Sequence, residues 1–282
     1  MKFLSIQSSV AYGHVGNSAA VFPLQRLGHE VWPVATVVFS NHTGYGAWRG
    51  PLLPPGDVAD VITGIEERGV LGQIDGVLSG YQGSAEIADV ILDAVARVRA
   101  ANPRASYTCD PVMGNADSGC FVHPDIPPVL RARVVPEADV ITPNQFELGF
   151  LTGTEPQTLE EILASADLAL EMGPRTVLVT SVQRPDRPDG TIEMLAVNAD
   201  GAWIVQTPRL PLKANGSGDV TSALFTAHLL ATDAPTALAR TAASVFALLD
   251  VTARSGEREL RLVEAQDAFV DPPTSFEVNR VR

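Results

Sequence analysis

Short runs rich in Val, Ile and Leu alternate along the 282-residue chain with longer segments of helical period, and this alternation constrains the fold more than any other feature. Strands joined through helices cannot form tight hairpins. Their crossovers return each strand in the same direction, which predicts a largely parallel sheet covered by helices on both faces. Candidate strands cover residues 3–7, 31–38, 76–79, 106–109, 140–142 and 177–180. The clearest amphipathic helix spans 84–101, with Ile87, Val90, Ile91, Ala94 and Val98 on one stripe. One segment departs from the scheme: two alternating runs within 192–206 flank Asn198-Ala199-Asp200-Gly201, a hairpin signal that predicts an antiparallel edge. The preceding stretch QRPDRPDG, residues 183–190, predicts a mobile loop. The expected fold class is α/β, a three-layer α/β/α sandwich with a mostly parallel sheet and an antiparallel edge hairpin. It forms one domain over 1–282, with a flexible C-terminal tail at about 271–282 (DPPTSFEVNRVR).

Charge narrows the partners. Thirty-three Asp and Glu against twenty Lys and Arg leave a formal net charge of −13, with no dense basic cluster, so nucleic acid and anionic membrane are not expected partners. A phosphate-bearing substrate would have to be held by local devices: backbone N–H groups, helix N-termini or bound cations. Met1 to Tyr12 lacks the apolar core of a secretion signal, and no apolar run approaches the ~18 residues of a membrane span. Cys109 and Cys120 are too few for a disulfide framework, so free thiols and a cytoplasmic location are expected. The histidines show no zinc spacing; His14 and His42 are pocket candidates, and His29 and His123 are surface or turn residues.

The sharpest local signal is Asn215-Gly216-Ser217-Gly218-Asp219, followed directly by a helical segment at 220–231. Two glycines let successive N–H groups converge on one point, and the helix adds its positive end, which suits an anion. Asp219, at the edge of that nest, suits a proton acceptor. The blander alternative is a turn in which Asp219 merely caps the helix. Three strand ends carry further candidates. Ser8 begins the polar turn after the first strand, Asp110 follows Cys109, and Thr142, Asn144 and Glu147 follow the fifth strand. In a parallel sheet these ends share one edge, where open α/β folds bind ligands, so Asp110 and Glu147 could meet magnesium and phosphate. Asn144 with Glu147 also reads as a capping box, and Ser8 as a residue satisfying its own turn. No G-x-x-x-x-G-K-[ST] string is present, which argues against a P-loop.

The strings SSVAYGHVGN, FSNHTGYGAW, LSGYQGS, CDPVMG, TPNQFEL and NGSGDVTSALF, in this order, resemble the pyridoxal kinases of the ribokinase superfamily nearly end to end. The resemblance implies a ribokinase-like fold, usually homodimeric, that moves the γ-phosphoryl group of ATP to the 5'-hydroxyl of pyridoxal or a related B6 vitamer. By that resemblance Asp219 is the catalytic base and Gly216, Ser217 and Gly218 form the anion hole. Ser8, Thr43, Gly44 and Tyr81 contact the vitamer, with Cys120 a further candidate that can add to the aldehyde. Asp110, Thr142, Asn144 and Glu147 face the ATP phosphates and magnesium, with Asp110 and Glu147 at the metal, while Lys213 and Asn215 lie in a mobile segment near ATP. A monovalent cation such as K+ is a further candidate cofactor. Thr180 stands where similar bacterial kinases often carry Lys in contact with ATP phosphate, and Ser217 where many carry Thr or Val. The alternatives within this resemblance are a hydroxymethylpyrimidine or dual-specificity B6 kinase, and, from another class, a B6-binding protein of low turnover.

Overall fold

A computed structural model describes residues 1–282. In chain order the first half comprises β1 (Lys2–Val10), α1 (Asn17–Arg26), β2 (Glu30–Phe39), α2 (Pro55–Glu66), β3 (Gly76–Ser79), α3 (Ile87–Ala101), β4 (Ser106–Cys109), β5 (Gly114–Asn115), β6 (Gly119–Cys120), α4 (Ile126–Val129) and β7 (Val140–Ile141). The second half comprises α5 (Gln145–Thr152), α6 (Leu159–Glu171), β8 (Thr176–Val182), β9 (Thr191–Asn198), β10 (Gly201–Pro208), α7 (Ser217–Ala231), α8 (Ala234–Ser255), α9 (Asp267–Val270) and β11 (Val278–Arg280).

Nine strands form one sheet in the order β11-β10-β9-β8-β7-β4-β3-β1-β2. From β2 to β8 every pairing is parallel, and from β8 to β11 every pairing is antiparallel. The central strands are buried on both faces, as all four residues of β3 are, because helices cover the sheet from each side. One layer buries the α3 stripe of Ile87, Ile91, Ala94, Val95 and Val98 against β1, β4 and β7. Each fully buried Ile or Val contributes about 1.5–3 kcal/mol. The opposite layer packs α1, α7 and α8 on the other face, through Ala20, Leu24, Ala223, Phe225 and Leu238. The result is the three-layer α/β/α sandwich. At 22 residues α8 is long and apolar enough to cross a membrane, but more than half of its apolar stretch is buried within the fold.

Two expectations are corrected. The region at 271–282 is not a free tail throughout: β11 pairs antiparallel with β10, and Arg282 donates two hydrogen bonds to Asp167 on α6 at 2.6 and 2.7 Å. Without it β10 would present an unpaired edge. The stretch 183–190 is irregular but pinned. Arg184, 2% exposed at its side chain, forks onto Glu193 of β9 at 2.7 and 2.9 Å, and removing one member of such a buried pair typically costs about 3–5 kcal/mol.

Candidate active site

Because β1, β3, β4, β7 and β8 run parallel, their C-terminal ends open on one edge, and the sequence candidates collect there. Asp110 follows β4, its N–H donating to the Ser79 carbonyl at the end of β3 (2.8 Å). Thr142 follows β7 and donates its hydroxyl to Ser222 of α7 at 3.0 Å. Thr180 bridges in parallel to Asn144, and its N–H donates to the Pro143 carbonyl.

The capping box at α5 is formed in full. Asn144 accepts the Glu147 N–H, and Glu147 Oε2 accepts the Asn144 N–H at 3.0 Å. Glu147 does more than cap, since its other oxygen accepts the N–H groups of Met113 (2.8 Å) and Gly114 (3.2 Å), and Asn144 donates to the Gly114 carbonyl. The loop after β4 is thereby fastened to the start of α5. Burial pushes the Glu147 carboxyl up to about 7; the three N–H donors hold it back, and Asp219 adds repulsion. Asp110 is raised well above its ordinary value by burial, then by the charges of Glu147 and Asp219, with Thr142 acting the other way.

Asp219 lies in the first turn of α7, half-buried. Its carboxyl is pushed up to about 6 by desolvation, against the pull of the Gly16 N–H and its own backbone N–H. Gly216 begins the helix at φ 87°, a conformation suited to glycine, and a Cβ there would lie 1.8 Å from the His14 carbonyl. The nest is thus pressed against the loop after β1. That loop in turn folds onto Ser8, which is buried and lies so close to Gly16 that a Cβ would meet both its carbonyl and hydroxyl at 2.3 Å. Ser8, Gly16 and Asp219 are therefore contiguous.

On one side of the nest runs a groove of about 1250 Å³, whose lining includes Asn144, Thr180, Lys213, Ser217 and Gly218. Asp110, Thr142, Glu147 and Asn215 are not in this lining. Lys213, exposed, pairs with Asp117 at 2.9 Å, while the Asn215 amide nitrogen is buried without a partner. Tyr81 packs on Val10, Val15, Val37 and Phe39, and a 3-10 turn spans Thr43–Tyr45. The Thr36 hydroxyl donates to the Tyr81 carbonyl, and His42 caps the turn by accepting the Gly44 N–H at 3.1 Å. Cys120 is exposed on the β5–β6 ribbon, and no hydrogen bond joins it to Ser8, Thr43 or Tyr81. Its chain-mate Cys109 is buried, and its thiol is pushed up to about 12. No group of three or more His, Cys, Asp or Glu side chains is arranged to hold a metal ion.

Several contacts escaped the sequence reading. The Asn17 amide donates to the Gln7 and Val34 carbonyls, clasping β1 to β2. Its only sequence signal was its place at the helix start. Glu259 accepts from Tyr45 and from His14, 214 and 245 residues away, a pairing with no local signal.

The family model for phosphomethylpyrimidine kinase matches residues 72–256. A pyridoxal kinase PdxY of Leifsonia xyli is 72% identical over 282 residues, covering 100% of both chains. One from Corynebacterium diphtheriae is 60% identical with the same coverage. Among solved structures, a Leishmania donovani pyridoxal kinase in complex with ADP and pyridoxamine superposes with a TM-score of 0.94 at 28% identity, covering 100% of this chain and 99% of the other.

Proposed function

The chain belongs to the pyridoxal kinase family, and on that premise we propose that it transfers the γ-phosphoryl group of ATP to the 5'-hydroxyl of pyridoxal at the edge where β1, β3, β4 and β7 end. The observation that carries the reading is the position of Asp219. It follows Ser217 and Gly218, which line the groove with Asn144, Thr180 and Lys213, and its carboxyl accepts the N–H of Gly16, which is pressed against Ser8.

ATP occupies the groove with its phosphates toward Ser217 and Gly218, and Lys213 exchanges Asp117 for a phosphate. The vitamer lies against Tyr81 and the Thr43–Gly44 turn, held by Ser8, with its hydroxymethyl group toward Asp219. As the hydroxyl oxygen bonds to the γ-phosphorus, its proton passes to the Asp219 carboxylate and the bond to the β,γ-bridging oxygen breaks, releasing ADP. The N–H groups of 216–218 and the N-terminus of α7 meet the charge that develops on the transferring group. Asp110 and Glu147 would hold magnesium through its waters, and the metal supplies neutralisation of phosphate charge. Burial raises both carboxyls, the charges of Glu147 and Asp219 add to it at Asp110 and that of Asp219 at Glu147, and this suits a cation nearby, while the three N–H groups already on Glu147 favour contact through water. K+ as a second cation, a homodimer, a cytoplasmic location and a single domain over 1–282 belong to the same proposal. The one continuous sheet supports the last of these.

The test is turnover of pyridoxal, pyridoxine, pyridoxamine and hydroxymethylpyrimidine with ATP and magnesium, read by product mass. A phosphorylated pyridoxal is expected; inactivity on every member would sink the assignment, and preference for the pyrimidine would favour the alternative kinase. Running the panel with Cys120→Ala tests the thiol. Weaker pyridoxal affinity with unchanged pyridoxine affinity is expected if Cys120 adds to the aldehyde, and equal loss on both removes it from that role.

A further inference from the structure

The turn that carries Thr43 and Gly44 contains no buried residue, so apolar packing does little to fix it. Besides the local His42 cap and the Tyr12 ring set edge-on to Tyr45, its anchors come from the other end of the chain, the segment after α8. Glu259 accepts the Tyr45 hydroxyl on one carboxylate oxygen at 2.5 Å and the His14 N–H on the other at 3.0 Å. Arg258 donates to the Gly44 carbonyl at 3.0 Å and sets its guanidinium 4.2 Å from the centre of the Tyr45 ring, a cation–π contact. His14 in turn packs its carbonyl on Gly216, and Leu260, buried next to Glu259, reaches the same glycine.

We propose that Glu259 is a positioning residue for the vitamer. Its carboxylate ties the Thr43–Tyr45 turn to the His14 loop, and through that loop to the Gly216–Gly218 nest, so that the pocket wall and the phosphoryl-transfer centre hold one spacing. The inference rests on the proposed kinase function and deepens it. The phenol of Tyr45, pushed up to about 12 chiefly by its hydrogen bond to Glu259, supplies a local reporter.

The experiment compares wild type, Glu259→Gln, Tyr45→Phe and the double variant. Glu259→Gln keeps the shape but leaves one acceptor oxygen and no charge. Each single change should raise KM for pyridoxal by about tenfold, the scale of one lost charge-assisted hydrogen bond. KM for ATP should move by less than about twofold, and the double variant should be no worse than the worse single, as for partners in one contact. The Tyr45 phenol, identified by its loss in Tyr45→Phe, should titrate lower in Glu259→Gln. Unchanged KM for pyridoxal in both single variants would overturn the inference, as would equal rises in both KM values with a lowered Tm, which would make Glu259 a staple for the fold. Wild type without pyridoxal turnover would instead overturn the kinase assignment, and the inference with it.

Discussion

Glu147 and Asp219 both stand in the first turn of a helix at the same edge of the sheet, α5 for one and α7 for the other. Around Glu147 the backbone is well supplied: three N–H groups occupy three of its roughly four acceptor sites, and two loops depend on it for register. Around Asp219 the supply is thin, with the Gly16 N–H and its own N–H opposing burial, and the nest beside it faces open groove. A helix-start acid with most of its acceptor sites committed to backbone is a structural clasp that touches chemistry only at second hand. One with oxygens to spare can receive a proton.

The largest expected effect breaks the pair apart. Asp219→Asn should lower kcat by about 10² to 10⁴ while leaving KM for pyridoxal nearly unchanged. Steady-state kinetics that keep wild-type kcat would remove Asp219 from the base role. Next comes pH: as a proton acceptor Asp219 must be ionised, so the rate should fall about tenfold per unit below a limb near its raised value of about 6, and be flat above it. A limb near the ordinary aspartate range would mean that substrates or metal restore its usual acidity. The smallest effect belongs to Glu147→Gln, which can satisfy the N–H groups on one side only. It should cost about 1–3 kcal/mol, a fall in Tm of a few degrees by calorimetry, and raise the magnesium needed for half-maximal rate. Lower Tm with unchanged magnesium dependence would leave Glu147 as a clasp alone. The sign of its titration is also fixed. A carboxyl raised in the fold adds stability that is complete below its unfolded value of 4.5 and is lost as pH rises through about 7. Wild type should therefore gain on Glu147→Gln as the medium is acidified through that window.

What the sequence determined by itself was whatever is encoded within a few residues. Period and turn chemistry placed β3 and β4 to the residue, the 198–201 hairpin, and the end of α7 at Ala231, while its start lies at Ser217 rather than 220 because Gly216 caps it. The Asn144–Glu147 spacing encoded the capping box, since its partners are three residues apart. Alternation of strands and helices implied parallel strands, and parallel strands alone put Ser8, Asp110, Thr142 and Asn144 on one edge. Chain closure decided the rest. A segment that reads as a tail becomes β11 because β10 offers an unpaired edge, and a Pro-Asp-Gly loop is tethered because Glu193 of the next strand faces Arg184. Glu259 meets Tyr45 and His14 across more than 200 residues, and Asp110 is raised by burial and by the charges of Glu147 and Asp219, gathered from the starts of two helices. Such contacts have no periodicity to read, because burial and charge proximity are properties of the packed layers and exist only once the sheet has formed.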